Sequence, residues 1–182
     1  IVTNSEEISE KLRFIIKTVG SGLSPFDSWL IIRGIKTLGI RLDRSQQNTE
    51  KIAHWLKSQS SVTKVIYPGL PEHPGHEIMK KQARGFGAML TFQGTDKEHA
   101  LKILEKTEII KYAESLGGVE TLITYPTTQT HADVPAEIRE KNGITEATLR
   151  LSVGIENIQA ITEDLERAFR ETEGELNGRE KS

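Results

Sequence analysis

The chain has 182 residues, and 24 basic against 26 acidic side chains leave a formal charge of −2. That length suits one domain, or one domain plus part of another. Its 36% hydrophobic and 27% charged residues argue against a disordered tail or a membrane protein, and the near-neutral balance argues against a nucleic-acid binder. No cysteine is present, which removes disulfides, thiolate metal sites and cysteine nucleophiles and fits a reducing cytoplasm.

Ile1-Val2-Thr3-Asn4 reads as the end of a strand running into a helix cap, so the chain is expected to begin inside a larger fold. Asn4 or Ser5 caps a first helix, with Ile8, Leu12, Ile15 and Val19 at helical spacing and Gly20-Ser21-Gly22 as its stop. Ser24, Pro25 and Asp27 open a second helix through a cap, a proline at the first helical position and an acid at the capping-box position. No proline interrupts the pattern from there to about Gln59, and Gly34 and Gly39 mark where it could bend or break. Its first part is apolar almost all round. Its second carries one stripe, Leu42, Thr49, Ile52, Ala53 and Leu56. The expected organisation is a helical arm over residues 1–60, a compact α/β domain over 61–171 and a frayed tail over 172–182.

Beyond Ser61 the pattern changes. Val62, Val65 and Ile66 predict a strand, His76 to Ala83 a short helix and Ala88 to Phe92 an alternating strand. Asp96 to Lys106 predicts a helix with Ala100, Leu101 and Leu104 inward. Short strands follow at Ile109-Ile110 and Leu122-Ile123, then a helix over Pro135 to Lys141 and a strand over Thr148 to Val153. A last amphipathic helix carries Ile158, Ile161, Leu165, Ala168 and Phe169. The order β-α-β-α-β-β-α-β-α suggests one sheet with helices packed on one face.

Few motifs rise above a structural explanation. Gly85-Phe86-Gly87 lacks the third glycine of a dinucleotide loop and precedes a strand rather than a helix, so it reads as a turn. His73 and His76 flank Pro74-Gly75 without a third ligand nearby, and no metal site is expected. Ser115-Leu116-Gly117-Gly118 is either a tight turn or a place where backbone approaches a ligand closely, with Glu114 just before it. Arg150 lies between Leu149 and Leu151, so alternation puts it and Ser152 opposite Leu149, Leu151 and Val153. On a solvent face it is an ordinary charge. In a cleft its planar fork suits a substrate carboxylate.

The stretch Leu23-Ser24-Pro25-Phe26-Asp27-Ser28-Trp29-Leu30-Ile31-Ile32-Arg33-Gly34 resembles a signature of the Cys/Met-metabolism family of pyridoxal-phosphate enzymes. That family includes cystathionine γ-synthases, cystathionine β- and γ-lyases and methionine γ-lyases. Further stretches agree in the family's order: Tyr67-Pro68-Gly69-Leu70 with His73-Pro74, Arg84 to Gly87, Glu114 to Glu120, Thr130-His131-Ala132, and Leu149 to Glu156. The resemblance implies the C-terminal portion of an aspartate-aminotransferase-like (fold type I) α/β enzyme, with a long connecting helix and a small C-terminal domain. It implies that Arg150 clamps the substrate α-carboxylate, that Ser115 lies beside cofactor and substrate, and that Glu114 lines the distal part of the substrate pocket.

The family's Schiff-base lysine lies just upstream of a strand resembling Ile1-Val2-Thr3-Asn4. No catalytic residue is therefore expected in this chain, which alone should neither bind pyridoxal phosphate nor turn over. In the parent enzyme that lysine would take the substrate α-proton, and a thiol would leave from Cβ or Cγ. The expected function is C–S cleavage of cystathionine, of the β-lyase type, with γ-synthase or γ-lyase as the alternative. A non-catalytic ligand-binding or regulatory α/β module is the alternative of another class. A small sulfur amino acid, a cytoplasmic setting and a homotetramer built as a dimer of dimers complete the expectation, with neither nucleic acid nor membrane as partner.

Overall fold

The structure, a computed structural model, describes residues 1–179. Its elements are α1 (Glu6–Val19), α2 (Pro25–Ile35), α3 (Leu38–Lys57), β1 (Lys64–Ile66), α4 (His76–Gln82), β2 (Met89–Gln93), α5 (Lys97–Lys106), β3 (Lys111–Tyr112), β4 (Leu122–Thr124), α6 (Ala136–Lys141), β5 (Thr148–Ser152) and α7 (Ile158–Arg179). Internal contacts divide the chain after Gly39 into two units.

In the first unit the caps are the expected ones. Ser5 accepts from the Ile8 amide and Ser24 from the Asp27 amide, with Pro25 opening α2. The helical run from Ser24 breaks at Lys36-Thr37, between the two glycines. None of residues 1–39 is buried, and Phe26, Trp29, Ile32 and Ile35 are exposed.

The second unit begins at Ile40, so nearly all of α3 belongs with the sheet rather than with the arm expected to reach residue 60. The cause is the face that α3 buries: Ser45, Asn48, Thr49, Ile52, Ala53 and Leu56. Leu42, expected on that stripe, is exposed.

The sheet has the order β1-β2-β5-β4-β3. Only β3 and β4 run parallel; β1 with β2, β2 with β5 and β5 with β4 are antiparallel. Leu90, Phe92, Ile123, Leu149 and Leu151 share one core with Ile52 and Leu56 of α3, Ile103 of α5, and Ile161, Leu165 and Phe169 of α7. Helices α3, α5 and α7 therefore cover one sheet face. Trp55 meets Phe169 edge-on at 5.3 Å between ring centroids.

Two expectations need correction. The strand read at Ile109-Ile110 forms instead at Lys111–Tyr112. Asp164 of α7, nearly buried, accepts from the amides of Glu108, Ile109 and Ile110 at 2.9 Å each and from Arg167 Nη2 at 2.6 Å. Those amides are thus committed to a side chain and cannot join a ladder. In α5 Ala100 is buried and Leu101 and Leu104 pack against the core, as expected, with His99 and Ile103 buried beside them. The tail expected to fray from residue 172 is helical through Arg179, with 180–182 outside the described residues. Thr172 is fully buried, and Glu175 pairs with both Lys102 and Lys106 of α5.

Asp164→Ala should lower unfolding free energy by ~3–5 kcal/mol, because it leaves backbone amides and Arg167 without their acceptor. Asp164→Asn, which keeps one acceptor oxygen, should cost less. Denaturant titration of both variants checks the order, and an alanine variant within about 1 kcal/mol of wild type would refute it.

The two lysines hold the Glu175 carboxyl down at about 2, against an ordinary 4.5. A depressed carboxylate contributes stability above its unfolded pKa, and that contribution is lost as pH falls toward the folded value. The gap in thermal midpoint between wild type and Glu175→Gln should be full at pH 6 and shrink as pH drops from about 4.5 toward 2. It should also shrink in high salt, because Glu175 and Lys106 are solvent-accessible. A gap independent of pH would contradict this.

Candidate functional site

Strand β5 carries the site because it is the centre of the sheet. Leu149 and Leu151 enter the core, which turns Thr148, Arg150 and Ser152 to the other face. That face is not open solvent: Thr148, Ser152 and Thr124 are all buried, and Arg150 is half-buried. Register places Arg150 directly between Thr91 of β2 and Thr124 of β4. Arg150 Nη2 donates to Thr124 Oγ1 at 3.1 Å and, at 3.4 Å, to the Ser115 carbonyl. Its Nε is buried and has no hydrogen-bond partner. Arg150 is therefore neither fully exposed nor fully buried.

The loop between β3 and β4 covers this face. It leaves β3 with the Ala113 amide donating to the Ile123 carbonyl at 3.1 Å, and Thr124 Oγ1 donates to the Ala113 carbonyl at 2.9 Å. Gly117 has φ +76°, a left-handed conformation that glycine adopts without strain, and its amide donates to Ser152 Oγ at 2.9 Å. Glu114 and Ser115 are exposed on this loop. Arg150 and Ser115 are thus brought together through the Ser115 carbonyl, and Glu114 is their neighbour along the chain.

The chain after β5 locks the far end of the loop. The Ile155 amide donates to the Val119 carbonyl at 2.9 Å, and the Gly154 amide donates to Thr121 Oγ1 at 3.0 Å. A Cβ at Gly154 would lie 2.2 Å from the Val119 carbonyl oxygen and 2.6 Å from the Glu120 carbonyl carbon, so this crossing requires glycine. The Glu156 carboxylate accepts from the Thr121 amide and, at 2.9 Å, from the Thr121 hydroxyl. Asn48 of α3, itself buried, donates to the carbonyls of Gly154 at 3.1 Å and Glu156 at 3.0 Å. Thr121, Thr124 and Asn48 were not legible as site residues. The one available signal was Asn48, an amide four residues before Ile52 on the apolar stripe of α3.

The other stretches singled out have structural roles. Gln46 Oε1 accepts from the Phe86 amide at 2.8 Å and the Gly87 amide at 3.3 Å, which makes Gly85-Phe86-Gly87 a loop pinned to α3. His76 stacks on Phe86, with its Nδ1 2.8 Å from the Pro68 carbonyl. His73 Nδ1 accepts from the Gly75 amide at 3.0 Å. The Tyr67 hydroxyl donates to the Gly87 carbonyl at 3.1 Å, and burial pushes its pKa up. No group of residues fit to hold a metal ion occurs among the described residues, and no described helix is long and apolar enough to cross a membrane.

The site is a mixed sheet covered by helices on one face, with a half-buried arginine on the other. Residues 1–170 match the Cys/Met metabolism PLP-dependent enzyme family, and the chain belongs to it. It is 45% identical over 169 residues to cystathionine β-lyase of Lactococcus lactis subsp. cremoris (strain MG1363), covering 93% of this chain and 44% of that one. It is 44% identical over 169 residues to cystathionine γ-lyase of Bacillus subtilis (strain 168), covering 93% and 45%. Among solved structures it superposes on cystathionine γ-synthase from Xanthomonas oryzae pv. oryzae in complex with cystathionine. The TM-score is 0.89 at 37% identity, over 95% of this chain and 45% of that one. The chain therefore spans less than half the length of these relatives.

The family depends on pyridoxal phosphate. On the face of β5 the buried Nε–H of Arg150 has no hydrogen-bond partner, and a donor of that kind fits an anionic group.

Gly154→Ala should cost ~1–3 kcal/mol of stability, since the new methyl meets backbone atoms that cannot rotate away. Gly174→Ala, at an open helical position in α7, should instead stabilise by up to ~1 kcal/mol. Thermal unfolding of the pair checks the opposite signs.

Proposed function

We propose that this chain forms the substrate-binding part of a pyridoxal-phosphate-dependent enzyme that cleaves the C–S bond of cystathionine, of the β-lyase type. The observation that carries the reading is Arg150, whose Nη2 is held by Thr124 and Ser115 while its Nε remains unpartnered and buried. A substrate α-carboxylate would take the Nε–H and, in place of the long 3.4 Å contact to the Ser115 carbonyl, an Nη2–H as two parallel charge-assisted bonds. Two-point attachment fixes the amino acid's orientation as well as its position, which lysine's single ammonium cannot do.

Ser115 is assigned a place beside cofactor and substrate, and Glu114 the distal part of the substrate pocket. When bound, pyridoxal phosphate supplies the electron sink for the chemistry. The lysine that holds it is assigned to the part of such enzymes that lies N-terminal to the residues matched here. The reading extends to a cytoplasmic homo-oligomer acting in sulfur amino-acid metabolism.

The γ-lyase and γ-synthase readings are the alternative, favoured by the cystathionine γ-lyase of B. subtilis at 44% identity and by the likeness to the X. oryzae γ-synthase. Product analysis with cystathionine separates them. Homocysteine with pyruvate means β-lyase, cysteine with 2-oxobutyrate means γ-lyase, and no cleavage favours the synthase.

In the full-length holoenzyme, Arg150→Lys should reduce kcat/KM for cystathionine by ~30-fold to several-thousand-fold, the equivalent of ~2–5 kcal/mol for one partner of a desolvated pair. The cofactor absorbance of the same preparation should be nearly unchanged. A variant within about threefold of wild type would make Arg150 an ordinary charge, since threefold is under ~1 kcal/mol.

A further inference from the structure

We infer that Glu156 is a positioning residue, whose two-point grip on Thr121 sets the distance between Arg150 on β5 and the loop that carries Glu114 and Ser115. The inference rests on the reading of Arg150 as the carboxylate clamp and deepens it.

Arg150 and the 114–120 loop belong to different parts of the chain, and a bound amino acid would have to touch both. Their spacing is set where the chain leaving β5 crosses the loop's exit. Glu156 uses both carboxylate oxygens on one residue, one on the Thr121 amide and one on its hydroxyl. Two bonds to one residue fix rotation as well as distance. Thr121 Oγ1 in turn accepts from the Gly154 amide at 3.0 Å, so hydroxyl, carboxylate and amide form a closed ring of contacts. Thr121 is fully buried, so no water replaces a lost member.

Asn48 closes the arrangement from the other side. Its amide holds the carbonyls of Gly154 and Glu156, so the backbone bearing Glu156 is fixed to α3. Displacement of the loop's exit therefore requires breaking the Glu156–Thr121 pair as well as the single backbone bond from the Ile155 amide to the Val119 carbonyl. At the loop's other anchor, Gly117 reaches only the Ser152 hydroxyl, through a single bond.

Weakening the grip leaves Arg150 and its strand in place and loosens only the loop. The loop's contacts to a bound amino acid act equally on substrate and transition state, so a loop displaced from Arg150 should appear in KM rather than kcat. A residue that merely stabilised the fold would lower thermal stability and raise exchange everywhere without that split.

The test uses the full-length holoenzyme with L-cystathionine. Glu156→Gln keeps the volume but loses the charge and one acceptor, so it should raise KM about tenfold with kcat within about threefold. Amide hydrogen exchange in a peptide covering 115–121 should speed up about tenfold, while a peptide covering 89–93 stays unchanged. Thr121→Val should behave like Glu156→Gln, and Thr121→Ser, which keeps the hydroxyl, should retain wild-type KM. Glu156→Gln alone decides if Thr121→Val does not fold. A KM within twofold of wild type, or exchange that rises equally in both peptides, overturns the proposal. Arg150→Lys run alongside separates the two ideas. If it raises KM and Glu156→Gln does not, positioning by Glu156 fails and the clamp stands. If Arg150→Lys leaves KM unchanged, the clamp reading fails, and this inference falls with it.

Discussion

Strand β5 has to satisfy two environments at once, and the rest of the unit follows from that constraint. A strand at the centre of a sheet has neighbours on both edges, so only its faces remain to be assigned. Leu149 and Leu151 assign one face to the helices. Thr148, Arg150 and Ser152 then stand on the other face, where an arginine cannot be left dry without partners. Thr124 and the loop backbone at Ser115 provide two, and the Nε is left over. The same alternation that builds the core therefore leaves a buried donor of the site without a partner.

Much of this was legible from residue 61 onward, because each element there carries its own signal. Caps at Asp96, a proline ahead of Ala136 and the alternation over 148–152 mark boundaries locally, and the order of strands and helices follows. Arg150 was legible for the same reason, as a charge inside an apolar alternation. What escaped was set by partners distant in sequence. The Asp164 carboxylate takes amides 54 to 56 residues away and displaces β3 by two positions. The last turns of α7 lack an apolar stripe, yet the ion pairs of Glu175 with Lys102 and Lys106 hold them to α5. Local periodicity contains neither pairing.

Helix α3 shows why polar residues on an apolar stripe repay attention. Asn48 and Gln46 are one turn or less apart, and each holds a different loop: Asn48 the chain after β5, Gln46 the chain before β2. An amide side chain suits this task because it can donate to carbonyls or accept from amides without introducing charge. The helix thereby aligns one end of the antiparallel β2–β5 pair, where β2 begins and β5 ends and the Val153 amide donates to the Ala88 carbonyl at 2.9 Å.

The strand order has a consequence for how the protein is made. The central strand, β5, is the last of the five to leave the ribosome. Until it arrives, β1–β2 and β3–β4 are separate ribbons, each with an unpaired edge and an uncovered apolar face. The contacts that close the sheet are long-range: Asn48 waits for Gly154, and Ser61 waits for Glu173, to which it donates at 2.7 Å. Folding of this unit is therefore largely deferred to the end of its synthesis. In that interval the nascent chain exposes two sticky half-sheets, the condition in which chaperone capture competes with aggregation.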